Sequence, residues 1–401
     1  MKDGGLTKGI IGAVIGDIAG SAHEFSDDVR PSFRLFTSKS SFTDDTALTM
    51  AVSEWLLSGG SLTIDDALLK WGRTYPHAGY GRGFKAFLKA GKRNAKGSTH
   101  NGGAMRVSPV GFLAGTLDEA LSLARESALP SHDTPGAIAG SQAVASAIYL
   151  ARTGSAKEEI CSFLESRFGY DLHRTYEEVR SDVQARLAMR ETEHERAHEL
   201  LLSARTTVPD AVTAFLAADG FESAVRLAVC LGADADTYAA MAGGIAAAFW
   251  GVPDGLVRQA LPYLPPDMIG VINAVDGTSW QPTGITPPNT HRWRSDDVVV
   301  YGSNADGTEG ENGFWDVHPS RFHRHLNAGY RIVTIGRTLQ EIGEQVEALR
   351  RETEANPERR YLVREVGVSK AGYTAGQIAP LFRWAAGSDN VLLPRSFMEL
   401  L

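Results

Sequence analysis

Residues 9–24 read Gly-Ile-Ile-Gly-Ala-Val-Ile-Gly-Asp-Ile-Ala-Gly-Ser-Ala-His-Glu, and the reading of this stretch decides the fold. Gly12, Gly16 and Gly20 recur every fourth residue, which places them on one stripe of a helix. A glycine costs a helix interior about 1 kcal/mol, so three on one stripe predict a second backbone packed unusually close. The stretch after Thr237, with Ala239, Gly243 and Ala247, offers a matching small-residue surface. The rule is best known from membranes, but its steric basis is general. If the two helices pair, the acidic residues at their ends converge.

Working outward, the apolar run from Gly9 to Ala22 follows Lys8 in the manner of a targeting segment, but Asp17 interrupts it. It is also short for a membrane span, and no other run approaches about 18 uncharged apolar residues. The expectation is a soluble, unsecreted, cytoplasmic protein. With 401 residues, 43% hydrophobic and 22% charged, the chain is predicted to form a packed core and more than one domain. A net charge of −8 argues against dedicated binding to phosphate backbones. Cys161 and Cys230 sit in apolar surroundings and support neither a disulfide framework nor a cysteine zinc site.

Residues 1–265 read as mostly helical. Leu48, Val52, Trp55 and Leu56 share a helical face, and Leu117–Ala128, Ala137–Ala151, Glu222–Leu231 and Tyr238–Trp250 follow. The charged stretch from Tyr176 to Ala204 reads as one or two solvated helices. Residues 266–295 carry Pro266, Pro282, Pro287 and Pro288 and read as a linker. Beyond it, predicted strands at Val298–Tyr301, Tyr330–Ile335 and Tyr361–Val366 flank a helix at Leu339–Thr353, giving a small α/β domain over 296–401. The fold class is therefore mainly α, with a small α/β domain appended.

Four clusters carry the chemistry: Gly16–Glu24, Phe42-Thr43-Asp44-Asp45-Thr46, Asn101-Gly102-Gly103-Ala104-Met105-Arg106 with Ser131-His132 following, and Leu231-Gly232-Ala233-Asp234-Ala235-Asp236-Thr237. The second and fourth each open a helix, where one Thr or Asp suffices as a cap. A run of carboxylates exceeds that need, and adjacent carboxylates repel unless a cation holds them. Oxygen-only clusters suit hard divalent cations, and two such clusters meeting in space suit a two-metal site. The Asn101 loop has the glycines that let backbone N–H groups approach an anion, although taken by itself it reads first as a plain turn.

Taken in order, these clusters resemble the ADP-ribosylglycohydrolase family over about residues 8–260. The marks are GAVIGDIAGSAHEF, FTDDTALTMAVSEWL, YGRGF, NGGAMRVSPVGF, SHDTPGAIAGSQAVA and FESAVRLAVCLGADADTYAAMAGGIAAAFWG. The resemblance implies a compact all-α domain holding two Mg²⁺ or Mn²⁺ ions. It implies Thr43, Asp44 and Asp45 as ligands on one side and Asp234, Asp236 and Thr237 on the other, with Asp236 between the ions. Glu24 and Asp45 become the catalytic candidates. Asn101, Gly102, Gly103, Met105 and His132 would hold the diphosphate and ribose, with Tyr80 and Phe84 walling the cleft. The implied reaction is hydrolysis of the glycosidic bond between ADP-ribose and an acceptor.

The acceptor stays open: an ADP-ribosylated protein or small ADP-ribose conjugate is expected, with a nucleic-acid acceptor the lesser alternative. Lys85, Lys89, Lys92, Arg93 and Lys96 form a basic stretch before the Asn101 loop that reads first as a solvated face and second as an attractor for anions. A non-catalytic ADP-ribose-binding or immunity protein, and a phosphohydrolase releasing AMP, are the competing readings. The tail, through VVVYGSN, REVGVSKAGYTAGQIAPLF and NVLLP, resembles a small domain of phage-related bacterial proteins, but residues Asp306 to Trp315 replace that domain's glycine-rich segment. That replacement puts nucleotide-type binding there in doubt and sets a structural or partner-binding role beside it. His318, His323 and His325 read as scattered surface histidines.

Overall fold

The computed structural model describes residues 5–26, 29–93, 97–286, 294, 296–305, 328–368 and 370–401. Lys96, Pro287, Pro288, His318, His323, His325 and the stretch 306–315 lie outside the described residues. The chain divides into two compact units, residues 1–74 with 78–281 and residues 75–77 with 282–401.

The first unit is helical. Its Ile11–Gly20 helix is buried at every position and packs along the Ala235–Trp250 helix, itself buried from Ala235 to Ala248. A Cβ on Gly12 would run into the Gly243 carbonyl, one on Gly16 into the Ala239 backbone, and one on Gly20 into the Asp236 backbone. The small-residue pairing read from the sequence is thus present. As the first helix advances its partners step backwards along the second, so the two run antiparallel. The C-terminal end of one helix therefore meets the N-terminal start of the other, which is where both carry their acids. Helices Pro135–Arg152, Ala204–Ala217 and Phe221–Cys230 pack around Ala235–Trp250.

The front of the first helix is held from a distance. The Asp276 carboxylate accepts from the Ile10 and Ile11 N–H groups at 2.8 and 3.2 Å, satisfying donors that a helix start leaves open. Burial, only partly offset by these two bonds, pushes its carboxyl up to about 7. Asp276 ends a helix, Pro266–Asp276, which corrects the sequence reading of a linker beginning at 266. Pro265 and Pro266 sit at the cap and first position of that helix, where a missing N–H is no loss.

The second unit is a parallel four-stranded sheet in the order Ala328–Val333, Val298–Ser303, Tyr361–Val363, Val391–Leu392. Val298–Ser303 is buried at every position, as a central parallel strand covered on both faces must be. The Leu339–Ala355 helix opens on a capping box between Thr338 and Glu341 and lays Ile342, Val346 and Leu349 into the core. The strand expected to reach Val366 stops at Val363, because the chain turns through Gly367 at φ +74°.

Candidate active site

The site is assembled where the antiparallel helices meet. Asp17 sits in the last turns of Ile11–Gly20 and is fully buried. Its Oδ2 accepts from the backbone N–H of Thr43 (2.8 Å) and of Thr46 (3.1 Å) and from the Thr46 hydroxyl. These bonds dock the start of the Asp44–Leu57 helix onto the first helix. Thr43 caps that helix: its Oγ1 accepts from the Asp45 N–H and donates to Asp45 Oδ2, both at 3.2 Å. Capping thus accounts for Thr43 and leaves the carboxylates of the segment over.

On the other side, Gly232 and Ala233 turn the chain through the left-handed region, at φ +81° and +53°. That turn presents Asp234 and Asp236 to the same space. The Ala233 carbonyl accepts from the Phe25 N–H at 2.5 Å, stitching the Glu24 segment to the acidic loop. Thr237 Oγ1 reaches Asp45 Oδ2 at 3.3 Å across 192 residues of chain. Carboxylate oxygens of Asp17, Asp45 and Asp236 lie within 4.8 Å of one another, as do those of Glu24, Asp234 and Asp236. Asp236 belongs to both groups. Asp44, at the helix start, is half-buried, and Glu24 is exposed.

Electrostatics make this arrangement costly without a counter-charge. Burial, then the Asp236 charge, push the Asp17 carboxyl up to about 6. Burial, then Asp236 and Asp17, push Asp45 well above the usual carboxylate range. Asp234 is pushed up by the same two causes, against a 2.7 Å bond donated by the Asn101 amide. Asp17 Oδ1 and Asp45 Oδ1 are buried with no hydrogen-bond partner. Orphaned, mutually repelling oxygens at this spacing fit a hard divalent cation.

The pH dependence follows from the direction of these shifts. A carboxyl whose folded pKa is raised holds its proton more tightly folded than unfolded. The Asp17 contribution is therefore fully present below 3.8 and is lost as pH climbs through about 6, and those of Asp45 and Asp234 are lost in the same direction. Cation binding needs the ionised forms, so it works in the opposite sense. The melting-temperature gain given by saturating Mg²⁺ over chelator is expected to grow as pH rises through about 6, measured by differential scanning fluorimetry. A gain that is absent, or flat with pH, would contradict this.

The Asn101 loop closes the site. Asn101–Gly103 forms one tight turn, and Met105 Sδ lies 3.9 Å from Thr237 Oγ1. A Cβ on Gly102 would come within 2.8 Å of the His132 ring, and one on Gly103 within 2.7 Å of Ser141 Oγ. His132 is buried, its Nδ1 2.8 Å from Ser131 Oγ. Burial and then Arg106 hold its imidazole well below the usual range, hence neutral. Tyr80 and Phe84 are core side chains, 1% and 7% exposed, and the described ring contacts tie them to each other and to Phe87 rather than to the acids.

Two residues fall inside the clusters read from the sequence but are given no individual role there. Asp17 belongs to the Gly16–Glu24 cluster and is otherwise read as a break in an apolar run. Its signal is a lone carboxylate inside a helix whose every other position asks to be buried. Arg106 is fully buried, donating to the Ser127 carbonyl (2.8 Å) and Ser131 Oγ (3.0 Å), and so positions the Ser131-His132 pair.

The family model for ADP-ribosylglycohydrolase matches residues 6–272. ADP-ribosylhydrolase ARH3 of Bos taurus is 28% identical, covering 65% of this chain and 89% of that protein. The Homo sapiens ADP-ribosylhydrolase ARH3 is 27% identical, covering 65% and 90%. A solved structure described as an ADP-ribosylglycohydrolase-related protein complex aligns with a TM-score of 0.49 at 27% identity, over 68% of this chain and 96% of that one.

Proposed function

The chain belongs to the ADP-ribosylglycohydrolase family, and from that premise we propose that it hydrolyses the N- or O-glycosidic bond joining ADP-ribose to a protein side chain, at a centre holding two Mg²⁺ or Mn²⁺ ions in the first unit. The observation that carries the proposal is the meeting of Asp17 and Asp45 with Asp236, and of Glu24 and Asp234 with the same Asp236. The family is metal-dependent in general.

Asp17, Asp45, Asp234 and Asp236 would hold the ions, joined by Glu24, Asp44, Thr43 and Thr237. Bound there, divalent cations supply Lewis acidity that orients ribose hydroxyls and makes a water nucleophilic near neutral pH. The rest falls to the chain. Breaking the glycosidic bond develops oxocarbenium character, which the surrounding carboxylates stabilise. Glu24 is the one exposed carboxylate of the two groups, so it can meet both substrate and solvent, as proton transfer to or from the acceptor requires. The Asn101–Gly103 turn gives a side-chain-free approach to the diphosphate, and neutral His132 offers a hydrogen bond without a charge. Restricting the sugar in this way removes entropy from the barrier.

No helix among the described residues is long and apolar enough to cross a membrane. We propose a cytoplasmic site of action on the ground of the proposed reaction alone. For the small α/β unit we propose a structural or partner-binding role. The test is mass spectrometry of products from arginine-, serine- and nucleic-acid-linked ADP-ribose, with Mg²⁺ or chelator. Intact ADP-ribose released only with the metal is expected. AMP as product would support phosphohydrolysis instead, and binding without turnover would support a non-catalytic ADP-ribose binder.

A further inference from the structure

Beside the loop that leads into Asn101 lies a cluster of imidazoles that the proposed reaction does not use. Residues 194–198 read His-Glu-Arg-Ala-His at the start of the His194–Leu202 helix. Four-residue spacing puts both histidines on one face, the arrangement by which a helix offers two nitrogens to one ion. A third histidine faces them from another segment. His100 is bridged to Ser203, and the Thr99 carbonyl accepts from the Ala204 N–H at 3.0 Å.

Two of the three ring pairs come near the spacing of shared coordination. An imidazole bound through a Zn–N bond of about 2.1 Å has its ring centre about 3.2 Å from the ion, so two such rings at the tetrahedral angle are about 5 Å apart. The His100 and His198 centroids are 5.5 Å apart, and those of His194 and His198 are 6.5 Å apart. The remaining difference is within the reach of side-chain rotation, since His194 and His198 are exposed. Glu199 stands where the outer partner of such histidines usually stands, though beyond hydrogen-bond distance of His100. Its Oε1 accepts from Thr99 Oγ1 at 2.6 Å, and its Oε2 is 3.7 Å from His100 Nε2. Burial lowers the His100 pKa, which favours the neutral form that binds metals.

We infer that His100, His194 and His198 form a second metal site, for a borderline ion of the zinc class, distinct from the aspartate centre. Nitrogen donors select such ions, whereas the all-oxygen aspartate centre selects Mg²⁺ or Mn²⁺. Occupancy clamps the exposed His194–Leu202 helix to the loop carrying Asn101, whose amide holds Asp234.

The full chain is titrated with Zn²⁺ by calorimetry in excess Mg²⁺, as wild type and as His198→Ala, His194→Ala and Asp236→Asn. One Zn²⁺ per chain is expected. Each histidine variant weakens binding by about tenfold or more, and Asp236→Asn leaves it unchanged. Circular dichroism matching the wild type confirms that the surface variants fold. With Co²⁺ in place of Zn²⁺, visible absorption of a nitrogen-bound ion appears in the wild type and is lost in His198→Ala. Absence of Zn²⁺ binding overturns the inference. So does binding that survives both histidine substitutions, or binding that disappears in Asp236→Asn.

Discussion

Asp236→Asn is expected to slow ADP-ribose release by roughly 10²–10³-fold while raising the melting temperature of the metal-free protein. Both effects have one source. Asp236 is shared by the two carboxylate groups, and its charge is the largest Coulombic contribution raising the Asp17, Asp45 and Asp234 carboxyls. Asparagine keeps the shape and removes the charge. A cation held as proposed would lose the ligand shared by the two groups, and the buried carboxyls lose their main repulsive neighbour. A stability gain coupled to an activity loss is what a strained functional site gives up when neutralised. A merely structural aspartate would lose stability instead. Turnover of an ADP-ribosylated protein, read beside thermal melting in chelator, separates the two.

The second large effect is steric. Gly16→Ala adds one methyl group, and that methyl would occupy the space of the Ala239 backbone. Backbone cannot rotate away as a side chain can, so the two central helices must part. A loss of about 3 kcal/mol in unfolding free energy is expected, the upper part of the range for overpacking. Gly83→Ala is the contrast. Gly83 also lies in a helix, but a Cβ there meets nothing within 4 Å, and the change should stabilise by up to about 1 kcal/mol through helix propensity. Urea denaturation of both variants gives the comparison. Equal effects would mean that the glycine stripe is not a packing device.

These two residues also mark what could be read from the sequence. The stripe Gly12, Gly16, Gly20 was legible because no other role explains three glycines at helical spacing. From it followed the pairing with Ala235–Trp250 and the convergence of its acidic ends. Asp17 lies on the same helix and within the Gly16–Glu24 cluster, but its own role was not legible. An aspartate in an apolar run looks like an interruption until the fold supplies Thr43 and Thr46 as donors. Tyr80 and Phe84 show another difficulty. Aromatic residues near a motif suit a cleft wall and a core equally, and burial does not separate the two, since Asn101, Met105 and His132 are buried as well. The start of the linker was misread because paired prolines open a helix as readily as they end one. In the second unit the strands were legible from their apolar runs, but their ends depended on turns such as that at Gly367.

The account rests on residues far apart in sequence gripping divalent cations together. Crystals grown with Mn²⁺ and measured at its absorption edge test this directly. Two anomalous peaks are predicted, both against Asp236, one also touching Asp45 and the other Asp234. A well-ordered map with Mn²⁺ peaks elsewhere and none at Asp236 would contradict the account.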